Sequence, residues 1–136
     1  MPTVKGEAQI LPIRTSSDVV TVRQAVRTAA ASLGFSLVDQ TKIVTAASEL
    51  ARNALEHGGG GSARIEVLED GARRGVRLVC EDKGPGISDL KLALTDGYTT
   101  GTGMGLGLSG SKRLVNEFDI WSRAGEGTRV TVTKWK

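Results

Sequence analysis

The chain is poor in cysteine, in aromatic residues and in long apolar runs, and each scarcity removes a class of protein. Cys80 is the single cysteine among 136 residues, so no disulfide can form within the chain. It closes the apolar run Val76 to Cys80, the setting of a buried structural thiol rather than a reactive one. No stretch approaches the roughly 20 apolar residues needed to cross a bilayer, so no membrane association is expected. The opening residues, Met1-Pro-Thr-Val-Lys-Gly-Glu7, lack the apolar core of a secretory signal, and a cytoplasmic location is the expectation. Aromatics make up 4%. The basic residues are scattered, with short pairs at Arg73-Arg74 and Lys112-Arg113. Nucleic-acid binders usually show a dense basic stripe with stacking positions, so nucleic acid is not an expected partner. The net charge of +3 suits an acidic protein partner as well.

What is present fits one globular domain over residues 1–136. Hydrophobic residues are 39% and charged residues 24%, and the length suffices for a real core. Val4 to Ile13 reads as an edge strand closed by Pro12. Ser16 or Ser17 can cap a helix in which Val19, Val22, Val26, Ala29, Ala30 and Leu33 recur at helical spacing, with Gly34 as its stop. Ser36 and Asp39 resemble a capping box opening a second helix through Ile43, Ala47, Leu50 and Ala54 to about His57. Gly58 to Gly61 cannot continue it cheaply. Strands follow at Ala63 to Leu68 and Val76 to Glu81, joined by a turn with Asp70-Gly71 and Gly75. A short helix is expected near Asp89 to Leu94, a mobile Gly- and Thr-rich loop over Asp96 to Gly105, and a helix over Leu106 to Asn116. Ile120 to Arg123 and Thr128 to Trp135 alternate as a last hairpin around Gly125-Glu-Gly127. Helices and strands segregated in this way predict an α+β fold: a two-layer sandwich with one mixed, mostly antiparallel sheet and its helices on one face.

Three short motifs occur in order. On the second helix, Asn53 lies one turn beyond Glu49 and about 40° around the axis, and His57 repeats the step. This row borders the apolar stripe, where a cleft wall would stand. A neutral amide oxygen suits Mg²⁺, and a nearby carboxylate can take a proton from an attacking hydroxyl. Next comes Asp82-Lys-Gly84-Pro-Gly86, an acidic strand end on a tight glycine turn. A buried carboxylate there can accept a hydrogen bond from an exocyclic amine such as that of adenine, and without a partner its burial is costly. Last is Gly101-Thr-Gly103-Met104-Gly105-Leu106-Gly107-Leu108-Ser-Gly110. Such a loop lets backbone N–H groups approach phosphates and points a helix N-terminus at negative charge.

Taken singly, each motif has a plain alternative: a solvated helix face, an Asp-x-Gly turn, a loose loop. Two better-known fingerprints fail on context. Gly105-x-Gly107-x-x-Gly110 has the dinucleotide spacing but no strand leads into it. A P-loop needs adjacent Gly-Lys, and Ser111 separates Gly110 from Lys112.

As a set, Glu49-x-x-x-Asn53, Asp82-x-Gly84-x-Gly86 and the Gly103 to Leu108 loop resemble the N, G1 and G2 boxes of the GHKL (Bergerat-fold) ATPases. Gly127-Thr128 resembles that family's last adenine contact. Leu33-Gly-Phe35-Ser, Asp39 through Asn53, Glu81-Asp82-x-Gly84-Pro-Gly86-Ile, Leu114-Val-x-Glu117-Phe and Ala124-Gly-Glu-Gly127-Thr128 are similar to one branch. That branch is the RsbT-like serine/threonine switch kinases of bacterial partner-switching modules.

The resemblance implies ATP and Mg²⁺ as ligands and a STAS-domain antagonist as protein substrate. A downstream regulator such as a PP2C-type phosphatase is implied as a further partner, and dimers or larger complexes occur among similar kinases. It also implies roles: Glu49 as general base, Asn53 on Mg²⁺, and Asp82 on the adenine amine with Thr128 assisting. Gly84 and Gly86 would lie against the base. Gly101, Gly103, Met104, Gly105, Leu106, Gly107 and Leu108 would close over the phosphates, and His57 would stand close to them. Arg52 is expected to face a protein partner. An anti-sigma factor that sequesters a sigma factor, with ATP as ligand, is the alternative.

Overall fold

The computed structural model describes residues 2–87, 94 and 107–136. The expectations of a short helix over 89–94 and of a loop over 96–105 lie outside the described residues, Leu94 apart.

The elements run β1 (Thr3–Ile13), α1 (Ser16–Ser32), α2 (Leu37–Glu56), β2 (Gly61–Asp70), β3 (Arg73–Asp82), α3 (Gly107–Arg113), β4 (Glu117–Arg123) and β5 (Gly127–Trp135). The strands form one five-stranded sheet in the order β1-β2-β3-β5-β4. All four of these pairings are antiparallel. Helices α1 and α2 pack on each other and on the sheet.

Strand alternation creates the inner face. Ala63, Ile65, Leu78, Cys80, Val130 and Val132 are buried there, and the register aligns them across β2, β3 and β5. Val22, Val26 and Ala30 of α1 and Ile43, Ala47 and Leu50 of α2 close the core from the other side. Fully burying a side chain of Val or Leu size contributes about 1.5–3 kcal/mol, so this layer carries most of the stability. Cys80 is buried as expected, and desolvation, with Asp82 nearby, pushes its thiol up to about 12.

The helix ends are well defined. The cap of α1 is Thr15, not Ser16 or Ser17. Its hydroxyl accepts from the Asp18 N–H, and the Asp18 carboxylate accepts from the Thr15 N–H in return. Strand β1 runs to Ile13, which leaves Thr15 as the first hydroxyl able to turn back on the new helix. At the other end Gly34 takes φ 83°. Its N–H bonds Ala31 O, and the Phe35 N–H bonds Ala30 O, the paired closure of a Schellman motif. Ser36 caps α2 by accepting from the Asp39 N–H. Helix α3 ends at Arg113, short of the expected Asn116. Asn116 instead binds β5, its Oδ1 accepting the Trp135 N–H at 2.7 Å.

The outer face bears a second, smaller cluster. Glu66 is buried and accepts from Arg77 Nε at 2.8 Å. Arg77 in this bond, with Arg64 adding to it, holds the Glu66 carboxyl below the usual range against the effect of burial. Trp135 lies across Gly75, where any Cβ would collide with its ring, and Arg73 stacks on the indole at 4.2 Å.

Candidate functional site

Helix α2 carries the first group. Its apolar face, Ile43 to Ala54, points into the core, and Glu49 is buried on the margin of that face at 6% exposure. A buried carboxylate requires donors. The Gly107 N–H, first in α3, donates to Glu49 Oε1 at 3.1 Å. Arg52, half-exposed, approaches Oε2 at 3.5 Å. Glu49 thus ties the second helix to the end of the glycine loop, 58 residues away in sequence. Asn53 follows one turn on, half-buried. Its carbonyl receives the N–H groups of His57 and Gly58, which close the helix.

The glycines after α2 bring in the second group. Gly58 has no room for a side chain, since a Cβ would overlap the Asp82 carboxyl. A Cβ on Gly84 would sit 2.5 Å from Gly58 Cα. The end of the Glu49 helix and the acidic glycine turn are therefore in backbone contact. Asp82 ends β3 between Gly61 and Thr128, and its Oδ1 accepts the Gly84 N–H at 2.9 Å. Burial pushes the Asp82 carboxyl above the usual aspartate range. The N–H groups of Gly84 and Thr128 oppose that rise, Glu81 adds to it and His57 opposes it. Such a carboxyl is poised to gain from one more donor.

The third group comes from the last hairpin. Gly86 has φ 77°, and a Cβ there would overlap the Arg123 carbonyl. The Gly125 N–H donates to Pro85 O at 2.8 Å. Gly127, at φ 128°, lies directly on the Asp82 carbonyl. Ser122 joins these parts: its Oγ accepts the Ile87 N–H at 2.7 Å, donates to Gly127 O at 3.0 Å and meets Thr128 Oγ1 at 2.8 Å.

Glu49, Asn53, His57, Asp82, Gly84, Gly86, Gly107 and Thr128 thus lie in one connected region at the C-terminal end of α2. Leu108 is buried in the core, so its side chain belongs to the packing. Gly101, Gly103, Met104, Gly105 and Leu106 lie outside the described residues. Ser122 was missed in the sequence. Its one signal there is a hydroxyl at the inward slot of the alternating Ile120-Trp121-Ser122.

The donor chemistry suits a nucleotide. The glycines allow the end of α2, the Asp82 turn and the last hairpin to pack backbone against backbone around the Asp82 carboxyl. Among the described residues no group of three or more His, Cys, Asp or Glu is placed to hold a metal. A divalent ion at Asn53 would need phosphate oxygens to complete its shell, the usual manner of Mg²⁺.

Comparison with known proteins agrees. Residues 38–136 match the family described as histidine kinase-, DNA gyrase B-, and HSP90-like ATPases. The chain is 46% identical over 123 residues to the serine/threonine-protein kinase RsbT of Bacillus subtilis, covering 90% of this chain and 92% of that one. It is 30% identical over 121 residues to an anti-sigma F factor of Clostridium novyi, covering 82% of each. A crystal structure of the RsbU and RsbW domains of a Mycobacterium tuberculosis protein superposes with a TM-score of 0.66 at 26% identity. That match covers 96% of this chain and 33% of the larger one. The chain therefore belongs to the histidine kinase-, DNA gyrase B-, and HSP90-like ATPase family, as an RsbT-like serine/threonine kinase that uses ATP.

Proposed function

We propose that this kinase phosphorylates a serine or threonine on a STAS-domain antagonist within a cytoplasmic partner-switching module, and that the transfer frees it to engage a downstream regulator such as a PP2C-type phosphatase. The observation that supports this most is the bond between the buried Glu49 carboxylate and the Gly107 N–H, which sets a base beside the glycine loop. When bound, ATP would supply the γ-phosphoryl group and leave as ADP, and Mg²⁺ would offset the negative charge on the phosphates.

The chain's own work is binding and positioning, which phosphoryl transfer chiefly needs. Asp82 accepts the adenine amine, with Thr128 held beside it by Ser122. Gly84 and Gly86 offer backbone to the face of the base. Asn53 offers its amide oxygen to Mg²⁺, and His57 stands beside it. Gly101, Gly103, Met104, Gly105, Leu106, Gly107 and Leu108 cover the phosphates through their backbone. Glu49 takes the proton of the acceptor hydroxyl as that oxygen attacks.

The test is label transfer from Mg-ATP to purified STAS-domain proteins. Transfer should occur with one of them, and it should vanish with excess chelator and in the Glu49→Ala, Asn53→Ala double variant. Retained transfer in that variant refutes the assigned roles. No uptake of Mg-ATP by the folded chain in calorimetry refutes the site itself.

The likeness to anti-sigma F factors supports a second reading, in which the chain sequesters a sigma factor with ATP as ligand. Co-purification with a sigma factor, and with no STAS-domain protein, would favour it.

A further inference from the structure

A groove of about 330 Å³ runs along the seam of α1 and α2, outside the contacts assigned above to nucleotide. That is at the low end of ligand-binding clefts. Arg23 and Arg27 line it from α1, and Thr41, Thr45, Ser48, Glu49 and Arg52 line it from α2. The pattern follows from helix geometry. Arg23 and Arg27 are one turn apart, as are Ser48 and Arg52, so each pair stands on one face of its helix. The short turn after Ser32 makes the two helices antiparallel neighbours, which sets these faces against each other.

The charge in this groove is not balanced. Arg52 has Glu49 and Ser48 as partners, each at 3.5 Å. Among the described residues Arg23 and Arg27 have no carboxylate within ion-pairing distance. The rows continue beyond the groove as exposed apolar side chains. Val20, one turn before Arg23, is 49% exposed, while Leu37 and Val38, one turn before Thr41, are 71% and 65% exposed. Cations, hydroxyls and flanking apolar groups over such a length exceed the reach of a small anion. They match the make-up of a protein-binding surface, where arginine and apolar anchors are enriched.

We propose that the α1–α2 groove docks an acidic segment of the protein substrate, with Arg23 and Arg27 reading its carboxylates so that the acceptor hydroxyl arrives at Glu49. This rests on the kinase reading above and adds the substrate's chemistry: acidic side chains flank the serine or threonine that is modified. The hydroxyl comes to Glu49 along the helix seam, while the Gly107 N–H lies on the carboxylate's other oxygen.

The test uses the full chain and a fluorescent peptide with one serine between runs of glutamate, beside the same peptide with glutamine for glutamate. Anisotropy should show preference for the glutamate peptide, weakening as salt rises. The Arg23→Ala, Arg27→Ala variant should bind it about tenfold more weakly. The Arg23→Glu, Arg27→Glu variant should lose it, with Mg-ATP affinity and circular dichroism unchanged. Equal binding of the two peptides, or unchanged affinity in the charge-reversed variant, would overturn the proposal. Competition by inorganic phosphate alone, with no peptide preference, would overturn the polypeptide assignment. If calorimetry finds no Mg-ATP uptake while the peptide preference and its loss hold, the kinase reading fails and the docking groove stands.

Discussion

Replacing Asp82 by asparagine should weaken nucleotide binding while leaving the fold as stable or more stable. Burial is the largest influence on this carboxyl and raises it above its ordinary 3.8. In the folded chain the charged form is therefore disfavoured relative to the unfolded chain. The sign follows by linkage: wild-type stability declines as pH rises from the unfolded value through the higher folded one, then levels off. Asparagine does not titrate. Its carbonyl can still accept the N–H groups of Gly84 and Thr128, so the turn keeps its bonds. The stability gained by the variant should grow from acid toward neutral pH and then stay constant.

Binding should move the other way. A hydrogen bond from an amine to a carboxylate is worth about 1.5–3 kcal/mol, so its loss should weaken ATP binding by about 10- to 150-fold. Thermal unfolding of the two proteins from pH 3.5 to 7.5 and calorimetry with Mg-ATP read both effects. A variant that unfolds earlier than wild type at neutral pH, or that binds ATP equally well, would refute the reasoning.

Three further outcomes follow from the same geometry. Gly58→Ala drives a methyl group into the Asp82 carboxyl; overpacking of this kind costs about 1–3 kcal/mol, and ATP affinity should fall with the midpoint of urea unfolding. Ser122→Ala removes the acceptor of the Ile87 N–H and the partner of Thr128; stability should drop by about 1–3 kcal/mol, with KM for ATP rising more than kcat falls. Glu66→Gln should cost about 1–2 kcal/mol at neutral pH, because Glu66 loses its charge-assisted bond to a partly exposed Arg77. The Glu66 carboxyl lies below its ordinary 4.5 when folded, so the wild-type advantage is full above that value and should vanish as pH falls through the lower folded one, in paired urea titrations.

Much of the site was legible because its parts are local. Glu49 and Asn53 sit one helical turn apart by periodicity alone, and Asp82-Lys-Gly84-Pro-Gly86 declares a turn by its residue types. The order of the three motifs then carried the resemblance that the family match bears out. The element ends were less legible. Thr15, Ser16 and Ser17 can each cap a helix, and the choice fell to Thr15 because β1 runs to Ile13 against Gly61 of β2. Likewise α3 ends at Arg113 because Asn116 is drawn off to Trp135.

By themselves, the residues of this chain determined its periodic elements, its turn chemistry and the kinds of groups it could present to a nucleotide. These depend on neighbours within a turn or a strand pair. Only the folded chain decided that Gly58 rests on Asp82, that Glu49 receives the N–H of Gly107, that Ser122 receives the N–H of Ile87, and that Arg23 and Arg27 share a groove with the proposed base. Those are contacts between segments tens of residues apart, set by the sheet register and by the packing of α1 on α2, and no local pattern encodes them.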